Sequence, residues 1–346
     1  MKFVDLQKEY EFFKEPIDLA VSRVLGSGSY LFGQELAKLE SNFGQISNTK
    51  HCIGVKNCTD AIMMLVKQLL KSRPEATIIL PNFGAYPTAV ACRNFTPRLY
   101  YVDVDTSMTI DVNKLPKHIV DGILIVVNLF GNNCNHQIVE YAHKNNHILI
   151  EDCAQSTGSG SGSLGDYSVF SFYPTKPLAS MGDGGMICSN KDISQFKLLR
   201  FYGQQEGEVK EVGINSRIDE IQSAIINSKI KDFNRLNQKR KEIALRYLKH
   251  ISGIKVWSDC VFHQFVVMFH ERDKIVAELS KRDIPYMIHY PNHVSEMDAL
   301  KGIYNDVTFR VNDKIISLPC HPFLEEKDIQ KIELFLKDFK DFEYVS

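Results

Sequence analysis

Three stretches of this chain pair chemically capable side chains with local structure that could aim them. The run YSVFSFYPTKPLASMGDGGMI, residues 167–187, opens as an apolar segment of the kind that builds a buried strand. It turns through Pro174, presents Lys176, and then meets Gly182, Gly184 and Gly185. A lysine after a core strand is ordinarily a surface residue. Ser171 just upstream, the stiffening proline and the close backbone approach that glycines permit favour a functional amine instead. Such an amine is a nucleophile only when partly neutral, which burial or a neighbouring cation can arrange. In HILIEDCAQS, residues 147–156, Glu151 and Asp152 fall at the carboxyl end of a second strand. That edge of an open α/β sheet is where ligands bind, although an acid there can equally cap a turn or helix. In VKNCTDAIMMLVKQ, residues 55–68, Thr59 falls where a helix begins. Free N–H groups and the positive dipole end make a phosphate seat there, and a plain N-cap threonine is the simpler alternative.

A lysine for an imine, an acid for a ring nitrogen and hydroxyls for a phosphate together describe a site for pyridoxal phosphate. Two other motifs carry less. Gly160, Gly162 and Gly165 in GSGSGSLGD match the dinucleotide-binding glycine pattern, but the stretch leads into a strand and not a helix, so it reads as a loop. Cys134 with His136, and Cys320 with His321, fit no common zinc spacing, so no metal site is expected.

The elements that must position these residues follow from the rest of the 346-residue chain. Hydrophobic residues make up 44% and charged residues 24%, which is ordinary globular chemistry. A net charge of −1 supplies no field to recruit nucleic acid or an anionic membrane. The opening MKFVDLQKEYEFFKEP is too charged for a signal peptide, and the longest apolar run, GILIVVNLF, is too short to span a bilayer. Eight cysteines without a CxxC pair suggest reduced thiols in a cytoplasmic enzyme. Strands are expected at 77–80, 98–104, 122–128, 147–152 and 167–172, alternating with helices at 59–72 and 136–146. That alternation predicts crossover units and a largely parallel sheet covered on both faces. A helical stretch from Arg217 to Ile251 is long enough to suggest a break near Asp232–Asn234. It leads into a smaller lobe with a strand at 264–269 and helices around 273–281 and 325–339. The boundary is placed near residue 245, giving a large domain over 1–245 and a small α+β domain over 246–346.

The chain resembles the DegT/DnrJ/StrS aminotransferases, which aminate keto groups of nucleotide-linked sugars. The resemblance runs through FVDLQKEY (3–10), GSYLFGQELAKLE (28–40), NCTDAI (57–62), RLYYVDVD (98–105), IEDCAQSTGS (150–159), SLGDYSVFSFYPTKPLASMGDGGMI (163–187), GINSRIDEIQSAI (213–225), MIHYPNH (287–293) and SLPCHPF (317–323). It implies an α/β fold of the aspartate-aminotransferase type (PLP fold type I), with a mixed sheet of about seven strands. The parallel reading then needs one antiparallel exception. It also implies that Lys176 carries pyridoxal 5'-phosphate and then moves protons between cofactor and sugar, while Asp152 pairs with the pyridine nitrogen. Gln155 would hydrogen-bond the phenolic oxygen. Thr59, the backbone of Asp60, and Ser171 would hold the phosphate. Asn215 would reach the phosphate of a neighbouring subunit, making a homodimer with shared sites. GINSR alone is equally a helix entry with an asparagine cap.

Two positions depart from the family pattern. Cys58 stands where glycine usually precedes the phosphate threonine. Ala85 stands where an aromatic ring usually covers the cofactor, so stacking would pass to Phe83 or Tyr86, or be weak. The resemblance implies amino transfer from glutamate, or glutamine, to a nucleotide-linked keto-deoxysugar, feeding surface polysaccharide such as lipopolysaccharide O-antigen, or glycosides. FVDLQ and the KPL after Thr175 lean towards amination at C3 of a dTDP-3-keto-6-deoxyhexose. Glu211 near the GIN motif would repel a carboxylated sugar and so favours a neutral one. The alternatives are a sugar dehydratase, which would carry histidine at the lysine position, a cyclitol aminotransferase, and a non-catalytic sensor of the same fold.

Overall fold

The strand-like runs of the first half of the chain assemble into one sheet, and their alternating side chains decide what covers it. The computed structural model describes residues 1–251, 260–304 and 310–339. Two helices, α1 (Leu6–Ser27) and α2 (Gln34–Ser47), precede β1 (His51–Val55) and α3 (Cys58–Ser72). Next come β2 (Ile78–Pro81), α4 (Pro87–Arg93), β3 (Leu99–Val102), β4 (Ile123–Val127) and α5 (Gln137–Lys144). β5 (Ile148–Asp152), β6 (Tyr167–Ser171), β7 (Gly185–Ser189) and α6 (Gln195–Leu199) follow. A short ribbon, β8 (Gln204–Gln205) and β9 (Glu208–Val209), leads to the long α7 (Glu220–Leu248). The remainder holds β10 (Phe265–Met268), α8 (Arg272–Lys281), β11 (Ile303–Tyr304), β12 (Ile315–Leu318) and α9 (Glu326–Asp338).

The main sheet has the order β1-β7-β6-β5-β4-β2-β3-β11. β7 runs antiparallel to both its neighbours, and every other pairing in the sheet is parallel. The single antiparallel exception therefore falls where the chain returns from Lys176. The two-residue β11 adds an eighth strand beyond the seven expected, pairing Ile303 with Tyr100 at the far edge. Alternation along the strands sorts the core onto two faces. Ile78, Leu80, Ile123, Ile125 and Ile150 pack with Ala61, Ile62 and Leu65 of α3. Ile79, Leu124, Val126 and Leu149 pack on the other face with Ile138 and Ala142 of α5. Each of these isoleucine, leucine and valine side chains, fully buried, contributes about 1.5–3 kcal/mol.

The predicted break at Asp232–Asn234 is absent. α7 runs unbroken from Glu220 to Leu248, starting three residues later than the sequence suggested. Aspartate and asparagine cost a helix only about half a kcal/mol each. Against that, Phe233 is buried with Phe170, Phe172 and Ile226, so the apolar stripe continues through the suspected gap. A separate apolar cluster joins Ile243, Ala244 and Tyr247 of α7 to Phe265, Val267, Leu279, Ile316, Leu318, Ile332 and Phe335. All eight cysteines are free and buried. Among the described residues, no helix is long and apolar enough to cross a membrane.

Candidate active site

All the parallel strands present their carboxyl ends at one edge of the sheet, and the antiparallel β7 begins there. Ser171, the last residue of β6, lies opposite Gly185, and Gly185 in turn lies opposite Val55 at the end of β1. The connection carrying Lys176 therefore projects from the ligand-binding edge beside the end of β5 and the start of α3. Glycine at 185 is required by proximity. A Cβ there would stand 2.5 Å from the carbonyl carbon of Asn57 and 2.7 Å from the amide nitrogen of Cys58. The helix start carrying Thr59 is thereby pressed against the strand that returns from Lys176.

Asp152 is 4% exposed and engaged from three sides. The Thr88 hydroxyl donates to its Oδ2 at 2.7 Å, the amide of Ala154 donates to Oδ1 at 3.1 Å, and the Cys58 thiol lies 3.8 Å from Oδ1. Burial raises the proton affinity of Asp152, while the Thr88 and Ala154 hydrogen bonds and the Lys176 charge oppose that rise. Burial conversely lowers the pKa of Lys176, with Asp152 pulling it back up. Among the described residues, no hydrogen bond or ion pair engages the Lys176 amine. A buried acid and a buried amine thus sit within each other's field, with the amine biased towards the neutral, nucleophilic form.

The neighbouring acid behaves differently. Glu151 points to the opposite face and is fully buried. It accepts hydrogen bonds from the amides of Gly162, Leu164 and Gly165 at 3.1, 2.8 and 2.9 Å. The GSGSGSLGD stretch is therefore a loop fastened by Glu151, as its position before a strand suggested.

Gln155 is buried, accepting from the Phe130 amide at 2.8 Å and donating to the Tyr290 hydroxyl at 2.9 Å. Tyr290 brings the MIHYPNH stretch to this edge. Its ring lies 6.5 Å from that of Phe130, tilted by 10°. Burial pushes the Tyr290 phenol up to about 12, so it stays protonated at neutral pH. Ser171 is buried and accepts from the Tyr173 amide at 3.3 Å.

At the start of α3 the cap is Asn57, not Thr59. The Asn57 side chain accepts from the Asp60 amide at 2.8 Å, leaving Thr59 as the second helical residue. The asparagine side chain reaches the third helical N–H because its own backbone is extended. The Asp60 amide assigned to phosphate already has an acceptor as a result. Phe83 is 1% exposed and packed edge-on against Phe130, Tyr290 and His293, so it offers no free stacking face. Tyr86 is exposed and Ala85 is partly buried. Glu211 forms an ion pair with Lys71, which removes the ground for reading it as a repulsive charge against a carboxylated sugar. Asn215 is exposed on this chain, beside the buried Ser216, whose hydroxyl accepts from the Lys56 amide.

Thr88, Tyr290 and Asn57 are contacts that motif reasoning passed over. Thr88 had a legible signal, a hydroxyl just after Pro87 at the first turn of a helix that follows a core strand. Removing that hydroxyl has a predictable sign. Its hydrogen bond lowers the Asp152 pKa, so Thr88→Val raises it further. The acid limb of the pH–rate profile is expected to move to higher pH. A profile superimposable on wild type would show that Thr88 does not act through Asp152.

The model of the DegT/DnrJ/EryC1/StrS aminotransferase family matches residues 13–336. The chain belongs to this family. It is 32% identical to a dTDP-3-amino-3,6-dideoxy-alpha-D-galactopyranose transaminase of Aneurinibacillus thermoaerophilus, over 95% of this chain and 97% of the relative. It is 30% identical to a UDP-2-acetamido-2-deoxy-3-oxo-D-glucuronate aminotransferase of Pseudomonas aeruginosa, over 96% and 98%. Among solved structures, S. venezuelae DesV in complex with a ketimine intermediate superposes with a TM-score of 0.89 at 26% identity, covering 98% of each chain. As a DegT/DnrJ/EryC1/StrS aminotransferase, the protein uses pyridoxal phosphate. Its residues fit that cofactor. Lys176 has an unengaged amine, Asp152 is a buried acid, and Gly185 clears the space that lets the helix start close on the strand edge.

Proposed function

We propose that this chain transfers the amino group of glutamate to a nucleotide-linked 3-keto sugar, with a dTDP-linked 3-keto-6-deoxyhexose as its substrate. The observation that carries the catalytic part is the buried Asp152–Lys176 pair, with the amine pushed towards neutrality at the ligand-binding edge. The names of the Aneurinibacillus and Pseudomonas relatives, both acting at a sugar's C3 nitrogen or oxo group, support the choice of carbon. Pyridoxal phosphate supplies an electron sink for the carbon losing or gaining a proton.

Each residue then has a task. Lys176 attaches the cofactor and carries a proton to and from the reacting carbon. Asp152, whose carboxyl accepts from Thr88 and Ala154, keeps the pyridine nitrogen protonated. Gln155, anchored between Phe130 and Tyr290, orients the ring oxygen, while Thr59 and Ser171 hold the phosphate, and Asp60, its amide already bonded to Asn57, contributes only by its place at the start of α3. Residues 1–245 form the cofactor-binding domain, and the small domain over 246–346 gathers on the separate apolar cluster that begins in α7, although its β11, Val294 and Leu300 join the main-sheet side. The setting is the cytoplasm, where nucleotide-linked sugars are built for surface polysaccharide or glycosides.

The substrate is tested with a panel of dTDP-, UDP- and GDP-linked 3-keto and 4-keto sugars, each incubated with glutamate and read by mass spectrometry. Replacement of oxygen by an amino group on the dTDP-3-keto sugar is expected. Amination confined to a 4-keto sugar, or to a uronate, would redirect the proposal.

Assembly is part of it. The exposed Asn215 is assigned to the cofactor phosphate of a second copy, which makes a two-fold dimer with an interface on the order of 2,000 Å² or more. Lys176→Ala and Asn215→Asp are each expected to be inactive alone. Mixed, they produce heterodimers in which one site carries both lesions and the other neither, so subunit exchange restores part of the activity. No recovery, with heterodimers verified by native mass spectrometry, would place Asn215 outside the partner's site.

A further inference from the structure

Two of the buried cysteines face each other across the antiparallel pair at the edge of the main sheet. Cys52 of β1 and Cys188 of β7 are direct partners in the register, and their sulfurs lie 3.4 Å apart. Directly opposed residues of an antiparallel pair have Cα atoms about 4.5–5.5 Å apart, inside the range that a disulfide spans. A bond between these sulfurs therefore requires side-chain rotation and no movement of the strands. β1 is the end strand of the sheet, joined to it through β7.

The surroundings of Cys52 suit an ionised sulfur. The Ser47 hydroxyl donates to the Phe43 carbonyl at 3.0 Å, so its 2.6 Å contact with the Thr49 hydroxyl takes the proton of Thr49. The neutral Cys52 thiol then donates to Thr49 Oγ1 at 3.6 Å while it accepts from the Cys188 thiol. When Cys52 loses its proton, the Thr49 hydroxyl can turn to donate to it, with the Ser47 hydroxyl 3.8 Å away. The Cys188 thiol foremost, and then these hydroxyls, hold the Cys52 pKa below the usual thiol value, whereas burial raises that of Cys188 well above it. The thiolate is the reactive form, so Cys52 attacks first and Cys188 second. Access agrees with that order. Cys52 is 9% exposed and lines a cavity of about 240 Å³ with Ser41, Lys50 and Asp192, while Cys188 is fully buried.

We infer that Cys52 and Cys188 form a reversible disulfide when hydrogen peroxide enters that cavity, and that the bond clamps β1 onto β7. The Cys52 thiolate attacks one peroxide oxygen, the O–O bond breaks, and the departing hydroxide takes up the proton that Cys52 lost, leaving as water. Cys188 then attacks the sulfur of the resulting sulfenic acid. The S–O bond breaks, and hydroxide leaves as a second water with the Cys188 proton. Two thiols and one peroxide become one disulfide and two waters. β1 leads into the start of α3, where Asn57 and Cys58 press against Gly185 of β7. The clamp therefore fastens the seam between the helix start that carries Thr59 and the strand that returns from Lys176. It is independent of which sugar and which amino donor the protein uses.

The test treats the reduced, folded, full-length protein with hydrogen peroxide, removes the peroxide, then denatures it, alkylates the remaining thiols and maps peptides without reduction. A peptide pair joined through Cys52 and Cys188 is expected, with the other cysteines alkylated, and dithiothreitol should release it. The oxidised protein is expected to melt ~5 °C or more above the reduced one, the usual scale for a disulfide that closes a long loop. In Cys188→Ser the chemistry should stop at the sulfenic acid, which dimedone labels on Cys52, and the gain in Tm should vanish. Cys52→Ser should show neither a label on Cys188 nor a gain. Should either variant fail to fold, the peptide map and melting curves of the wild-type protein decide. Cys52 and Cys188 both alkylated after peroxide would overturn the inference. So would a link between other cysteines, or a linked protein that melts no higher than the reduced one.

Discussion

Lys176→Ala is expected to lower amino transfer by at least about four orders of magnitude, because one group both attaches the cofactor and moves the proton. No nearby side chain can take over. The basic groups within its field are His263 and His289, and burial lowers both, His289 to about 4, so they are weak proton acceptors. Folding should survive. The Lys176 side chain makes no hydrogen bond or ion pair among the described residues, and its backbone amide, donating to the Tyr173 carbonyl at 2.8 Å, is untouched. Cofactor should still load through its phosphate and ring contacts, which absorbance and calorimetry can follow. Full amination by this variant would end the mechanism proposed here.

Asp152→Asn should fold normally and lose about three orders of magnitude in kcat. The amide is isosteric, its oxygen can keep the Ala154 bond and its NH2 can donate to the Thr88 hydroxyl, so geometry is preserved while charge is lost. The negative charge is what holds a proton on the pyridine nitrogen, and without it the ring withdraws electrons poorly. Asp152 is buried and Lys176 is the cation in its field, so no other carboxylate substitutes. Glu151 is close in sequence but faces the other side of the sheet, satisfied by three loop amides. Wild-type kinetics with cofactor bound would reduce Asp152 to a turn residue.

Strand runs such as ILIVV and ILIED declared themselves because both faces of a parallel sheet are buried, leaving unbroken apolar segments. β1 and β7 did not. HCIGV and GMICS are five residues each and contain glycine, and they become strands through antiparallel pairing between segments far apart in sequence. The long helix was misjudged because a local Asp-Phe-Asn looked like an interruption, while tertiary burial of Phe233 decided the outcome. The placement of Asp152 at the ligand-binding edge was legible because it ends β5, and that of Lys176 because it follows the end of β6 by five residues. Thr88, Tyr290 and the Asn57 cap were not, because each acts through a partner that only the folded chain brings near. Glu211 shows the converse error. Its charge was legible, and its neutralising partner Lys71 was not.

Borohydride reduction of the holoenzyme, followed by proteolysis and peptide mass spectrometry, tests the central assignment most directly, because it fixes the cofactor to whichever amine carries it. The account predicts the reduced pyridoxyl mass on Lys176 and on no other lysine. A label on a different lysine, or a cofactor that binds and dissociates without ever becoming reducible onto the chain, would contradict it.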